Sequence, residues 1–228
     1  QIGKYCILPV MDYYGEDTVD YALVSHADED HISGVKELIE GDHIKNIVIA
    51  ECAAEDDGMT DLAALAEQHG VQIIKVSRGS RIKDGDWTFT CIYPESDSSS
   101  SDRNDLSMVL RLETDTALLL FTGDIPAGVE QEILSGTDNS LLAADILKVP
   151  HHGSKYSSSD SFLAAVSPNA AIVSCGKKNK YGHPAPETLN RLDQSGAQIY
   201  KTTETGAVTA YFYKKRYKLK TYLTKAEL

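Results

Sequence analysis

Apolar and polar positions along this chain fall in short blocks that switch between a period of two and a period of three to four. Residues 20–25 read as a strand, and residues 32–40 as a helix with Val35, Leu38 and Ile39 on one face. A second strand follows at 46–50, then a helix over 60–68 with Thr60 as its N-cap and Gly70 as its stop. Residues 71–76 and 87–93 read as strands, and 95–105 as a Ser- and Asp-rich loop without periodicity. Two strands, 107–112 and 116–121, form a predicted hairpin around 113–115. The pattern then gives a helix at 128–134, a strand at 145–149, a helix at 160–166 and a strand at 169–174. Pro186 suits the first turn of a helix reaching residue 194. Strands at 197–201, 207–213 and 218–223 complete the series. Strands and helices alternate, yet several neighbouring strands look hairpin-joined. The pattern therefore predicts an α/β layered domain, a mixed sheet or sheet pair flanked by helices.

Composition changes this picture little. The chain has 228 residues, 42% hydrophobic and 25% charged, which is ordinary globular usage and enough for one large domain or two small ones. No apolar run approaches the roughly 18 residues of a membrane span, and no basic-then-apolar leader precedes the first strand. Cys6, Cys52, Cys91 and Cys175 are widely spaced beside apolar residues, with no Cys-x-x-Cys pair, so buried thiols are expected rather than a disulfide framework or zinc knot.

Charge changes it more. The net charge of −12 argues against a generally basic nucleic-acid binder, but it is unevenly spread: −13 over residues 1–70, −7 over 71–145 and +8 over 146–228. A basic, partner-facing region inside an acidic protein is one reading; a solvated charged surface is the other.

Chemistry-bearing residues recur where strands end. His26, Asp28, Asp30 and His31 lie within six residues, after one strand and before a helix. Imidazole and carboxylate donors so close together suit zinc, manganese or iron. A second strand ends in Thr122-Gly123-Asp124, a third in Val149-Pro150-His151-His152-Gly153-Ser154-Lys155, and a fourth leads to Tyr181-Gly182-His183-Pro184. Taken alone the Gly-Asp segment reads as a turn, but four strand ends delivering His or Asp are how an open sheet assembles a site for two cations along one edge.

These segments, in this order, make the chain resemble the metallo-β-lactamase superfamily, and within it the C-terminal hydrolase domain of ComEC-type DNA-uptake proteins and their soluble relatives. The resemblance rests on Ser-His-Ala-Asp-Glu-Asp-His-Ile-Ser-Gly, Phe-Thr-Gly-Asp, Leu-Lys-Val-Pro-His-His-Gly-Ser-Lys and Lys-Tyr-Gly-His-Pro, with Asn104-x-x-Ser107 beside them. It implies one αββα sandwich over residues 1–228, two mixed sheets flanked by helices. The family's opening strands, with Asp-Val-Gly-Gln-Gly-Asp, are not seen, so the chain reads as an N-terminally truncated fragment.

The resemblance also implies two divalent metal ions, zinc or manganese, held by His26, Asp28, Asp30, His31, Asp124 and one of His151 and His152, taken as His151. Asp28 stands where the superfamily usually has His. The family's mid-chain histidine is absent, with Asn104 nearby, which shifts the donor set toward oxygen and hence toward manganese or magnesium. Asp30 and Asp124 would be catalytic, orienting a nucleophile in phosphodiester hydrolysis. His152, Ser154, Lys155, Ser157, Lys178 and His183 would meet the substrate, with Lys177 and Lys180 tracking the strand beyond. The implied partners are single-stranded DNA and, in a ComEC-type protein, the membrane channel region of the same parent at the outer face of the cell membrane; a stand-alone relative would be soluble. The competing readings are a hydrolase of a small ester, lactam or cyclic dinucleotide, and a non-catalytic metal-binding module.

Overall fold

In the computed structural model, which describes residues 1–223, the chain divides into two units: Gln1–Arg78 with Tyr93–Met108, and Gly79–Ile92 with the chain from Val109 onward. In the first unit, α1 (Leu8–Tyr14) follows a π-helical turn, Gly3–Ile7. Three strands, β1 (Val19–Leu23), β2 (Ile44–Ala50) and β3 (Gln72–Val76), then pair in that order, all parallel. Parallel neighbours need crossovers, and α2 (Glu29–Glu40) and α3 (Asp57–Gln68) supply them. The central strand β2 buries Ile47, Val48, Ile49 and Ala50 in succession, as a strand covered on both faces must. Ile32, Leu38 and Ile39 of α2 and Met59, Leu62 and Ala66 of α3 close this core, with Met11 of α1.

Two details differ from the sequence reading. The N-cap of α3 is Asp56, whose Oδ1 accepts the Gly58 and Met59 N–H groups, so Thr60 lies inside the first turn. Met59 is buried, which draws the helix one turn earlier than Leu62 alone would. The α1 segment has no predicted element because exposed Tyr5, Val10, Tyr13 and Tyr14 obscure its apolar stripe.

The second unit holds β4 (Arg81–Asp84), β5 (Trp87–Tyr93), β6 (Val109–Glu113), β7 (Leu118–Phe121), β8 (Ile146–Lys148), β9 (Ala170–Val173) and β10 (Gln198–Lys201), in the sheet order β10-β9-β8-β7-β6-β5-β4. The predicted hairpin is β6–β7, antiparallel. From β7 to β10 the strands are parallel, connected through α4 (Ala127–Gly136), α5 (Asp160–Val166) and α6 (Pro186–Gln194). Their C-terminal ends therefore share one edge, where open α/β sheets place their chemistry. The strand β4 was not legible because Ile82 is the one apolar residue in Arg-Ile-Lys-Asp. After the short α7 (Thr202–Thr205), β11 (Val208–Tyr213) and β12 (Arg216–Thr221) form an antiparallel hairpin. Its Ala210, Phe212, Tyr217 and Leu219 pack on the cluster of Leu112, Leu119, Ile146 and Ala170.

The four cysteines are unbridged as expected; Cys91 is buried, whereas Cys6 is exposed on the π-helical turn. Among the described residues no helix is long and apolar enough to cross a membrane.

Candidate metal centre

In the first unit, the Val24 N–H bonds the Val48 carbonyl, and the chain leaves the sheet at Ser25. Asp28 sits at the N-cap position of α2, where its carbonyl accepts the His31 and Ile32 N–H groups. Its carboxylate makes no cap bond and lies instead 3.7 Å from His26 Nε2. Ser25 Oγ is 3.1 Å from His26 Nδ1 and 3.2 Å from His31 Nδ1, and Ser107 Oγ is 3.3 Å from His26 Nδ1. With both Nδ1 atoms engaged by hydroxyls, Nε2 is the atom each ring presents to a carboxylate: His31 Nε2 is 3.7 Å from Asp30 Oδ2. The rings lie 4.1 Å apart, centroid to centroid. Ser25 and Ser107 are thus orienting groups that the sequence reading left without a role, though both stand inside its motifs.

Arg103 supports the same loop. Its Nε donates to Asp56 Oδ2 at 2.8 Å, and its Nη1 stands 3.5 Å from Asp28 Oδ1. Burial alone would push the Asp56 carboxyl up; hydrogen bonds from Arg103, Gly58 and Met59 outweigh it and hold Asp56 below its ordinary value. Asn104 occupies the adjoining position, but it is Arg103 of that turn that reaches Asp28. His26, Asp56 and Arg103 line a cavity of about 160 Å³ with Cys52, Ser100, Ser101 and Leu106.

In the second unit, β7 runs into Thr122-Gly123-Asp124 with Gly123 at φ 49°. The Asp124 carboxylate is 3% exposed, with Oδ2 3.2 Å from His152 Nε2 and Oδ1 3.7 Å from Lys148 Nζ. His152 Nδ1 donates to the Ser174 carbonyl at 2.7 Å, which fixes the ring and aims Nε2. The hydrogen bond to Asp124 raises the His152 pKa against the opposing effect of burial.

His151 takes the other direction. Its ring packs on His183, centroids 5.8 Å apart, and the Nδ1 atoms of both are buried without a hydrogen-bond partner among the described residues. Burial, then the neighbouring His151 and His152, lowers the His183 pKa and keeps its imidazole a neutral donor. Buried ring nitrogens left this way, beside Asp124 and His152, fit a cation-binding role. The sequence reading chose His151 over His152 as the ligand; the structure sets His152 against Asp124 and His151 against His183.

The loop that presents these rings is unusually constrained. His151, His152 and Gly153 all have positive φ, at 49°, 53° and 84°. A Cβ on Gly153 would meet Pro184 Cβ at 2.7 Å. Gly153→Ala is therefore expected to cost about 2 kcal/mol of stability and to displace His152 from Asp124. A urea titration beside a metal-binding isotherm checks both; unchanged midpoint and affinity would refute the expectation.

The remaining predicted residues separate into two groups. Ser154 and Ser157 are buried; Ser154 Oγ accepts the Tyr156 N–H and Ser157 Oγ donates to the Ile125 carbonyl, so both build the loop rather than face outward. Lys155, Lys177, Lys178 and Lys180 are exposed. Lys155 Nζ lies 5.0 Å over the Tyr156 ring and Lys180 Nζ 5.0 Å over Tyr181, which itself stacks on His183. Two groups beyond the sequence reading hold this loop. Arg191 donates to the carbonyls of Lys155, Ser157 and Ser158, and Glu130 accepts the N–H groups of Ser158 and Ser159.

The family model described as "Beta-lactamase superfamily domain" matches residues 7–152. "ComE operon protein 3" of Bacillus subtilis is 32% identical over 94% of this chain, and "Competence protein ComA" of Neisseria gonorrhoeae is 38% identical over 50% of it. This chain spans only 27% and 16% of those two proteins. Among solved structures, the metallo-β-lactamase fold protein YhfI of Bacillus subtilis superposes with a TM-score of 0.52 at 10% identity, covering 86% of this chain and 79% of that one.

Proposed function

Because this chain belongs to the beta-lactamase superfamily, we propose that it is a metal-dependent phosphodiesterase acting on single-stranded DNA in competence-type DNA uptake. One relative is named a competence protein and another a ComE operon protein, which supports the context. In the first unit His26, Asp28, Asp30 and His31 would hold a divalent ion, zinc or manganese, and in the second Asp124 with His151 or His152 would hold another. Bound divalent ions supply Lewis-acid polarisation of phosphoryl oxygens and lower the pKa of water.

The chain's own groups do the rest. Ser25 and Ser107 hold the imidazoles of the first loop in register, and Arg103 braces Asp28. Lys148 Nζ stands 3.7 Å from Asp124 Oδ1 and helps hold the carboxylate in place. Asp30, whose carboxylate is exposed, accepts the proton of the attacking water at Oδ2. Lys155 and Lys178 face the phosphates flanking the scissile one, and His183 contacts a phosphoryl oxygen or completes the donor set.

The observation that carries the DNA reading is the pair of lysine–tyrosine stacks, Lys155–Tyr156 and Lys180–Tyr181, on the loops bearing His152 and His183. A cation beside an exposed ring provides for a phosphate and a base at once. The test is cleavage of a labelled single strand with manganese or zinc, run beside a cyclic dinucleotide and a chromogenic lactam. Cleavage of the strand alone is expected. Turnover of the lactam or dinucleotide with the strand intact would replace this reading.

A further inference from the structure

The hairpin β11–β12 has two faces of opposite character. Along β12 burial alternates strictly, with Tyr217 and Leu219 turned inward and Arg216, Lys218 and Lys220 exposed. On β11, Ala210 and Phe212 pack on the unit's core while Tyr211 and Tyr213 are exposed, at 36% and 48%. Phe212 also meets Trp87 edge-on at 5.8 Å, which anchors the inner face. The register sets Tyr213 opposite Arg216, Tyr211 opposite Lys218 and Thr209 opposite Lys220. The outer face is thus a double row, tyrosines beside cations, with the Arg216 guanidinium 5.4 Å over the Tyr213 ring.

Charge makes this face exceptional in an acidic protein. Residues 208–221 carry five basic side chains, Lys214, Lys215, Arg216, Lys218 and Lys220, and no acidic one. None of the five forms an ion pair with a carboxylate among the described residues. Cations at every second position of a strand repeat at about 6.8 Å, and like charges so placed repel one another. The hairpin alone is destabilised by that repulsion, and a polyanion lying along it relieves it.

We propose that the outer face of β11–β12 is a strand-binding surface for single-stranded nucleic acid, outside the metal-holding residues. Arg216, Lys218 and Lys220 meet successive phosphates, and Tyr211 and Tyr213 stack on bases. Stacking on exposed rings next to a cation row is how single strands are held without sequence preference. An anionic membrane is the poorer match, because the turn offers Lys214 and Lys215 where an inserting apolar tip is needed.

The proposal takes its ligand from the phosphodiesterase reading, but its test does not depend on catalysis. Fluorescence anisotropy with a labelled oligothymidylate in EDTA measures binding with hydrolysis suppressed. The variant Arg216→Glu/Lys218→Glu/Lys220→Glu is expected to lose at least about tenfold in affinity, with the slope of log K against log salt falling by about 2. Tyr213→Ala is expected to lose about tenfold with the slope unchanged. Lys218→Gln/Lys220→Gln, a milder change, guards against misfolding and should fall between the parent and the triple variant. In every variant, hydrolysis of a small chromogenic phosphodiester should match the parent, and the Tm of Lys218→Gln/Lys220→Gln, which relieves the repulsion, should not fall below it. Unchanged oligonucleotide affinity in the triple variant overturns the proposal. So does selective loss of binding to phosphatidylserine vesicles, which would make the face a membrane contact. Loss of strand binding alongside an inactive parent would support the surface and reject the catalytic reading.

Discussion

Asparagine in place of Asp124 is expected to lower metal-activated cleavage of single-stranded DNA by about 10³-fold or more. The carboxylate is buried between Lys148 and His152, two groups that gain from its charge. An amide keeps the shape and one acceptor but removes the anion, so it weakens cation binding. The measurement is an initial-rate series at saturating manganese and zinc, with bound metal quantified on the same samples and Tm as the folding control. A variant that retains its metal and cleaves within tenfold of the parent would remove Asp124 from the catalytic set. Asp30→Asn should behave differently. Its carboxylate is exposed and lies beside His31 rather than between two basic groups, so metal content should fall less than in Asp124→Asn while the rate still falls.

The largest effect on stability is expected at Glu130. The residue lies on α4, has no exposed surface, and accepts two backbone N–H groups from the loop after Lys155. Glu130→Ala strands both donors in a dry site, which should cost about 3 kcal/mol. In a chain of this size that corresponds to a fall in Tm of roughly 6–12 °C. Burial raises the Glu130 carboxyl above its ordinary value, against the pull of the Ser159 and Ser158 hydrogen bonds and of Arg191. Its folded-state pKa therefore exceeds the unfolded one. The protonated carboxyl's stabilising contribution is complete below the unfolded value and is lost as pH rises through the folded one. Urea midpoints of the parent relative to Glu130→Gln should fall across that window. A difference independent of pH would show that the carboxyl does not titrate there.

What could be read from residues alone followed how local the determinant was. The apolar run of β2 and the proline opening α6 carry their own signals, and both elements lie where the pattern put them. Thr60 was a plausible cap, but Asp56 is the better acceptor and the buried Met59 extends the helix to it. The tandem His151-His152 carries no local signal that sorts the directions of its two rings, because those directions depend on two successive backbone angles at positive φ. The Arg103–Asp56 pair spans 47 positions and leaves no local trace. Glu130 reads as a surface residue on a helix; its burial depends on a loop that folds over it.

The interrupted course of the first unit has a consequence for how the protein is made. Residues 93–108 rejoin that unit only after the chain has made β4 and β5 in the other. Ser107, which steadies His26 across 81 positions, and Arg103, which braces Asp28, both arrive in this late segment. A ribosome that has delivered the whole Ser25–His31 loop has therefore not delivered two of the groups that set its geometry. Residues 1–78 alone should collapse around β1–β3 with the loop's imidazoles held by Ser25 only. A cut after Met108 keeps every residue of the first unit but strands β4 and β5 without their sheet, so isolating that unit cleanly requires a shortened chain in which residue 78 is joined directly to 93.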